Sequence, residues 1–215
     1  MPRVIYKTSG GKRVPSVTTI LKSLSFGNDG LMYWAWKAGD DGLTLEEARA
    51  PAVTVGTVAH AMIEAHIKGE SADLVGLPAD IVSRAMVAFN VWREWAELTG
   101  YEMLASEVSL VDDELLFGGT FDCVLLKKKR ILVDWKTTSG IYPDHLVQVA
   151  AYGHLWNLHH PEAPLDGYAL LRLGRDEPLF DYHYRPADGV MGSAWEMFKI
   201  ARRAYDLAKE VRKAA

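Results

Sequence analysis

The sequence predicts an α/β fold, in which a helical N-terminal elaboration precedes the element order α-β-β-β-α-β around a central mixed sheet flanked by helices. Two observations predict it. Apolar residues recur at helical spacing up to about residue 98, after which the pattern changes to the alternation of strands. Three consecutive β-prone runs then precede a helix that leads into another strand, an order that favours one mixed sheet. With 215 residues, 49% of them apolar, and 7 Trp, the chain can bury a continuous core. A single domain is expected over 1–215, with 1–76 supplying a hairpin and helices and 78–215 supplying the core sheet and its flanking helices.

Each element has its own signal. Between Arg3 and Val17, two short β-prone pieces flank Ser9, Gly10 and Gly11 and predict a hairpin closing at Pro15. Ser16 is placed to cap a short helix through Ile20 and Leu21. A second helical piece holds Leu31, Trp34, Ala35 and Ala38 and breaks at Gly39 to Gly42. Thr44 and Glu47 have capping-box spacing and predict a further short helix. Val55, Val58, Ala59, Met62, Ile63 and Ile67 predict a helix over Val55 to Lys68, and an amphipathic helix follows from Pro78 to Leu98, with Gly100 after its end. The strands are expected at Tyr101 to Val111, Leu115 to Leu126 and Ile131 to Thr138, joined by turns at Asp112-Asp113 and Lys127 to Arg130. A helix from Pro143 to about Leu158, strands at Gly167 to Leu173 and Leu179 to Arg185, and a helix from Val190 to Lys213 complete the chain.

Composition bounds the function. The lone Cys123 excludes an internal disulfide, a Cys-rich zinc site and a four-thiolate iron–sulfur cluster, and points to a reducing cytoplasm. The N-terminal segment lacks the apolar run of a signal peptide. No apolar stretch approaches the roughly 20 residues of a membrane span. Lys and Arg number 24 against 28 Asp and Glu, for a net charge of −4, which argues mildly against a nucleic-acid binder.

The strands nevertheless carry charge where burial is expected. Alternation puts Asp134 and Lys136 on one strand face with Leu132, while Ile131, Val133 and Trp135 point the other way. If the Lys127 to Lys129 turn has three residues, Leu126 pairs with Arg130 and Asp122 comes opposite Asp134; a two-residue turn would separate them. Facing carboxylates repel unless a proton or cation lies between them, and their hard oxygens suit Mg²⁺ or Mn²⁺. His60 and Glu64, four residues apart, share one helix face, and Gln148 and Tyr152 share another. Glu107 is a weaker case: a two-residue Asp112-Asp113 turn would pair it with Gly118, roughly 13 Å from Asp122 along the strand, in a supporting role.

In order along the chain stand Gly56-Thr57-Val58-Ala59-His60, Glu107, Gly119-Thr120-Phe121-Asp122, Asp134-Trp135-Lys136-Thr137-Thr138 and Gln148-Val149-Ala150-Ala151-Tyr152. With these motifs, residues 14 to 173 resemble the PD-(D/E)XK nuclease superfamily, and within it the RecB-like exonucleases, a group that includes CRISPR-associated adaptation nucleases and the mitochondrial genome maintenance exonuclease. Val14 to Leu21, with Ser16, and Trp34-Ala35 also look like the N-terminal part of these enzymes. The resemblance implies a restriction-endonuclease-like core and one or two Mg²⁺ or Mn²⁺ ions held by residues at the positions of His60, Asp122 and Asp134, joined by the backbone carbonyl of Trp135. It implies Lys136 as the catalytic lysine, Gln148 as an orienting group and Tyr152 near DNA. The expected activity is a DNA exonuclease acting on single-stranded or duplex ends, of the kind found with phage replication or recombination proteins. An endonuclease of the same fold or a catalytically silent DNA-binding module are the alternatives. Trp34 and the basic residues Lys199, Arg202, Arg203, Lys209, Arg212 and Lys213 are candidate strand contacts.

Overall fold

A computed structural model describes residues 4–22, 29–42 and 44–214, the side chains of 29–34 and 45–53 excepted. The predicted hairpin is reduced to one antiparallel bridge, Lys7 to Arg13, closed where Thr8 N–H donates to Lys12 O and Gly11 turns at φ 81°. Helix α1 (Val17–Leu21) starts at Ser16, whose side chain accepts from Thr19 N–H.

Helices α2 (Asp29–Asp40) and α3 (Leu45–Ile67) follow. The break expected between residue 44 and Val55 is absent: α3 runs unbroken through Pro51 and Gly56. Gly56 is there for contact, since a Cβ on it would lie 2.7 Å from Thr137 Oγ1. The glycine therefore lets α3 press against the end of a strand, and it sits one turn before His60.

Helix α4 (Ala79–Thr99) ends at Gly100 in the left-handed conformation, φ 59°. Strands β1 (Glu102–Asp112), β2 (Phe117–Leu126) and β3 (Arg130–Lys136), helix α5 (Pro143–His159), strands β4 (Gly167–Leu173) and β5 (Phe180–Pro186), and helix α6 (Val190–Ala214) complete the order. The sheet runs β1-β2-β3-β4-β5 and is mixed: β3 and β4 are parallel, as the α5 crossover requires, and the other pairs are antiparallel. The predicted α/β fold is the one observed.

The two faces of the sheet carry separate cores. Cys123, Leu125, Ile131, Val133 and Trp135 pack with residues of α3 and α4, where the Trp135 ring lies edge-on to Trp92 and Trp95 at 6.0 and 5.7 Å. Phe121, Val124, Leu132 and Leu170 pack with α1, α5 and α6. Among the described residues, no helix is long and apolar enough to cross a membrane.

Two registers position the site. Leu126 pairs with Arg130 and Cys123 with Val133, so the three-residue turn is present and this register, carried one step past the last pair, brings Asp122 opposite Asp134. Between β1 and β2 the structure departs from expectation: Asp112 pairs with Phe117, leaving a four-residue loop. The cause is Asp112 itself, whose Oδ1 accepts from Glu114 and Leu115 N–H, both at 2.8 Å, while Leu116 adopts φ 56°. Ser106 then faces Cys123 and Val108 faces Phe121, so Glu107 lies opposite Asp122 rather than four residues along the strand from it.

Candidate functional site

Five elements deliver side chains to one place near the C-terminal end of β3. One ligand atom from each of His60 (α3), Glu107 (β1) and Asp122 (β2) lies within 4.8 Å of the others. Two ligands on opposite sides of a Mg²⁺ or Mn²⁺ ion are separated by about 4.2 Å, so this trio needs only a small contraction to hold one. His60 Nδ1 is 3.3 Å from Asp122 Oδ1, and Asp122 Oδ2 accepts from Trp135 N–H at 2.6 Å. That bond orients the Asp122 carboxylate from the neighbouring strand.

Asp134 and Lys136 stand beside the trio. Lys136 Nζ is 2.6 Å from Asp134 Oδ2 and donates to Gln148 Oε1 at 2.7 Å; Gln148 Nε2 in turn donates to Tyr152 OH at 2.9 Å. The lysine is thus held between a strand carboxylate and a helix amide, while Tyr152 anchors that amide from one turn further along α5. Gly119 admits the Tyr152 ring, because a Cβ there would lie 2.6 Å from it.

The electrostatics describe a site with surplus negative charge. Burial, reinforced by the Asp122 charge and tempered by His60, raises the Glu107 carboxyl to about 7. Burial also raises Asp134 to about 6, with Lys136 opposing and Asp122 adding to it. Burial would lower the His60 imidazole, but the adjacent Asp122 carboxylate overrides that and raises it to about 9. Protons are thus retained in this cluster toward neutral pH, where a cation would compete for the same groups. Glu107 also has φ 50°, a left-handed conformation costly for a residue with a Cβ, at the point where its side chain enters the cluster.

The remaining sequence candidates lie as follows. Glu64, one turn beyond His60, forms an ion pair with Lys68 at the rim. Ser16 Oγ is engaged in its cap and with Thr18 and Thr19 hydroxyls. The Trp34 side chain lies outside the described residues. Arg202 departs from the expected basic stripe: it is buried, donates to Leu115 O at 2.8 Å and pairs with Asp206 at 2.6 Å. The hairpin cations are also tied down locally, Lys127 to Thr99 O and Arg130 to Pro164 O.

Two features were not anticipated. His145, lowered to about 4 by burial and then by the Lys136 charge, accepts from Tyr142 N–H at the start of α5. A cleft of about 270 Å³, lined by Thr137, Thr138, Ser139, Arg172 and Arg175, opens beyond the last residue of β3. It adjoins the site through Thr137 without including the carboxylates. The hydroxyl run directly after Lys136 was its one sequence signal.

No family model and no curated protein matches the chain. Solved structures do. The chain is similar to LHK-Exo, an alkaline exonuclease from Laribacter hongkongensis, at 12% identity over 76% of this chain and 92% of that one, with a TM-score of 0.42. The complex of LHK-Exo with dAMP matches at the same identity and TM-score, over 77% and 92%. A candidate exonuclease from Eubacterium rectale is similar at 8% identity over 73% and 68%, with a TM-score of 0.49.

Proposed function

We propose that this chain is a divalent-metal-dependent deoxyribonuclease, an exonuclease that hydrolyses phosphodiester bonds at single-stranded or duplex DNA ends. The observation that carries the reading is the convergence of His60, Glu107 and Asp122 within 4.8 Å, beside an Asp134–Lys136 pair held at 2.6 Å. The raised Glu107 and Asp134 carboxyls support it, because buried acids in excess of their counter-charge favour a cation.

His60, Glu107 and Asp122 would hold the ion, with Asp134 at its side; the imidazole favours Mn²⁺ and the carboxylates accept either Mn²⁺ or Mg²⁺. A bound ion would acidify a water and neutralise charge on the scissile phosphate. The chain's own groups would do the rest. Lys136 directs its ammonium into the same space, where it can place the attacking water and offset charge that develops on the phosphate oxygens. Gln148 fixes the Lys136 ammonium, and Tyr152 fixes Gln148. His145, neutral at physiological pH, adds no second positive charge next to Lys136. The placement in phage-type replication, recombination or repair, in the cytoplasm of a bacterial or infected cell, rests on the sequence resemblance alone.

Digestion of end-labelled linear and of covalently closed circular DNA with Mg²⁺, Mn²⁺ or EDTA tests the reading. Metal-dependent release of nucleotides from linear DNA with circles left intact is the expected result. Cutting of circles would make the chain an endonuclease of this fold, and no cutting with either metal would leave a DNA-binding module.

A further inference from the structure

Helix α6 is apolar on two sides. Met191, Ala194, Phe198 and Ala201 are buried against the body of the protein. A second stripe, Val190, Ser193, Met197, Ile200, Ala204, Leu207 and Val211, recurs with alternating spacings of three and four over three heptads. Its large members face outward: Val190 is 49% exposed, Met197 40%, Ile200 64%, Leu207 41% and Val211 68%. Isolated exposed apolar residues need no explanation, but a seam of them about 33 Å long, on one face of one helix, does.

The flanks of the seam indicate what covers it. On the side toward the body stand Ala194 and Ala201, already buried, and Ala208. On the far side stand Glu196, Arg203 and Glu210, one heptad apart and alternating in sign. In a parallel pair these residues would face the partner's alanine side, which the body covers at Ala194 and Ala201, and no charge pairing would result. In an antiparallel pair the far-side positions meet each other, and Arg203 comes beside a glutamate of the second helix. Glu196 has Lys199 as an intrahelical partner, whereas no ion pair involves Arg203 or Glu210 among the described residues.

We propose that α6 is a self-association surface, pairing antiparallel with α6 of a second copy of this chain through the Val190 to Val211 seam. The inference stands apart from the functional reading, since the seam shares no residue with the metal cluster.

Sedimentation equilibrium of the full chain across micromolar concentrations is the test. A mass twice the 23.9 kDa of one chain is expected. The double variant Ile200→Glu, Leu207→Glu should sediment as a monomer with an unchanged thermal melt, because both side chains are exposed. Arg203→Glu alone should weaken association at least tenfold, and combining it with Glu196→Arg and Glu210→Arg should restore it. A monomeric wild type overturns the proposal, as does a dimer that survives the double variant. A dimer indifferent to the charge changes overturns the antiparallel arrangement.

Discussion

Asp112 and the Asp122–Asp134 pair are almost equally buried, at 3%, 8% and 3% exposure, yet their charge is met in opposite ways. Asp112 receives two backbone N–H groups and His154 Nε2 at 2.7 Å, and it clamps the loop between β1 and β2. Asp122 and Asp134 share one backbone N–H, one imidazole and one ammonium, and they stand next to Glu107. Burial alone does not mark an acid as functional. The distinction is whether the donors around it suffice: where they do the acid is a fastener, and where they fall short negative charge is left over, which is the basis of the cation site proposed above.

The largest effect that would separate the two regions is on chemistry. Lys136→Ala should reduce DNA cleavage by about a hundred- to a thousandfold, the scale of losing one charge-stabilising group. Manganese binding, followed by calorimetry, should remain; equal cleavage by this variant and the wild type would remove Lys136 from the reaction. Substitution on the other side acts on stability instead. Asp112→Ala should lower stability by about 2–3 kcal/mol through unpaired N–H groups and a loosened loop, read as a drop in melting temperature, with metal affinity falling less than on loss of the Glu107 carboxylate itself. Glu107→Gln should do the reverse: metal affinity falls tenfold or more, while the metal-free protein keeps its stability within about 1 kcal/mol, because a repelling acid has gone. If Glu107→Gln and Asp112→Ala destabilise alike, the contrast between the regions fails.

A pH series sharpens the same contrast. Glu107 and Asp134 hold protons more tightly when folded than at their ordinary values of 4.5 and 3.8, so the stability they contribute in the metal-free protein declines as pH rises toward 7. The His60 contribution is complete below 6.5 and is lost as pH rises through about 9, which has the same sign. Urea melts should therefore show metal-free stability falling from pH 4 to 9, while Mn²⁺ affinity rises over pH 6 to 9 as bound protons are displaced. The smallest effect is expected at Gly56→Ala, where the added Cβ meets Thr137 Oγ1 and shifts α3 slightly. Manganese affinity should weaken a few-fold, and the pair Gly56→Ala, Thr137→Ala should recover it.

Much of the site was legible in the sequence because it depends on local rules. Asp134 and Lys136 share a face through strand alternation, and the Lys127 to Lys129 turn sets the register that places Asp122 beside Asp134. Gln148 and Tyr152 meet because they are one helical turn apart. Glu107 was misplaced because its register depends on a loop whose length is set by a side chain, Asp112 Oδ1, rather than by turn residues. The continuity of α3 was missed because Pro51 separates the short helix opened at Thr44 from the apolar period that begins at Val55, whereas the helix runs through it. Arg202 looked like a solvent-facing cation because spacing along α6 does not reveal that Leu115 O lies within its reach.

By itself, then, the sequence determined the element order, the mixed sheet and the strand that presents an acid and a lysine together, since apolar period and turn length act over a few residues. Only the tertiary structure decided which groups complete the cluster. His60 arrives on a helix seated through Gly56, and Glu107 arrives through a loop fastened by Asp112 and His154. Contacts between residues far apart in the chain are set by packing, and no local pattern encodes them.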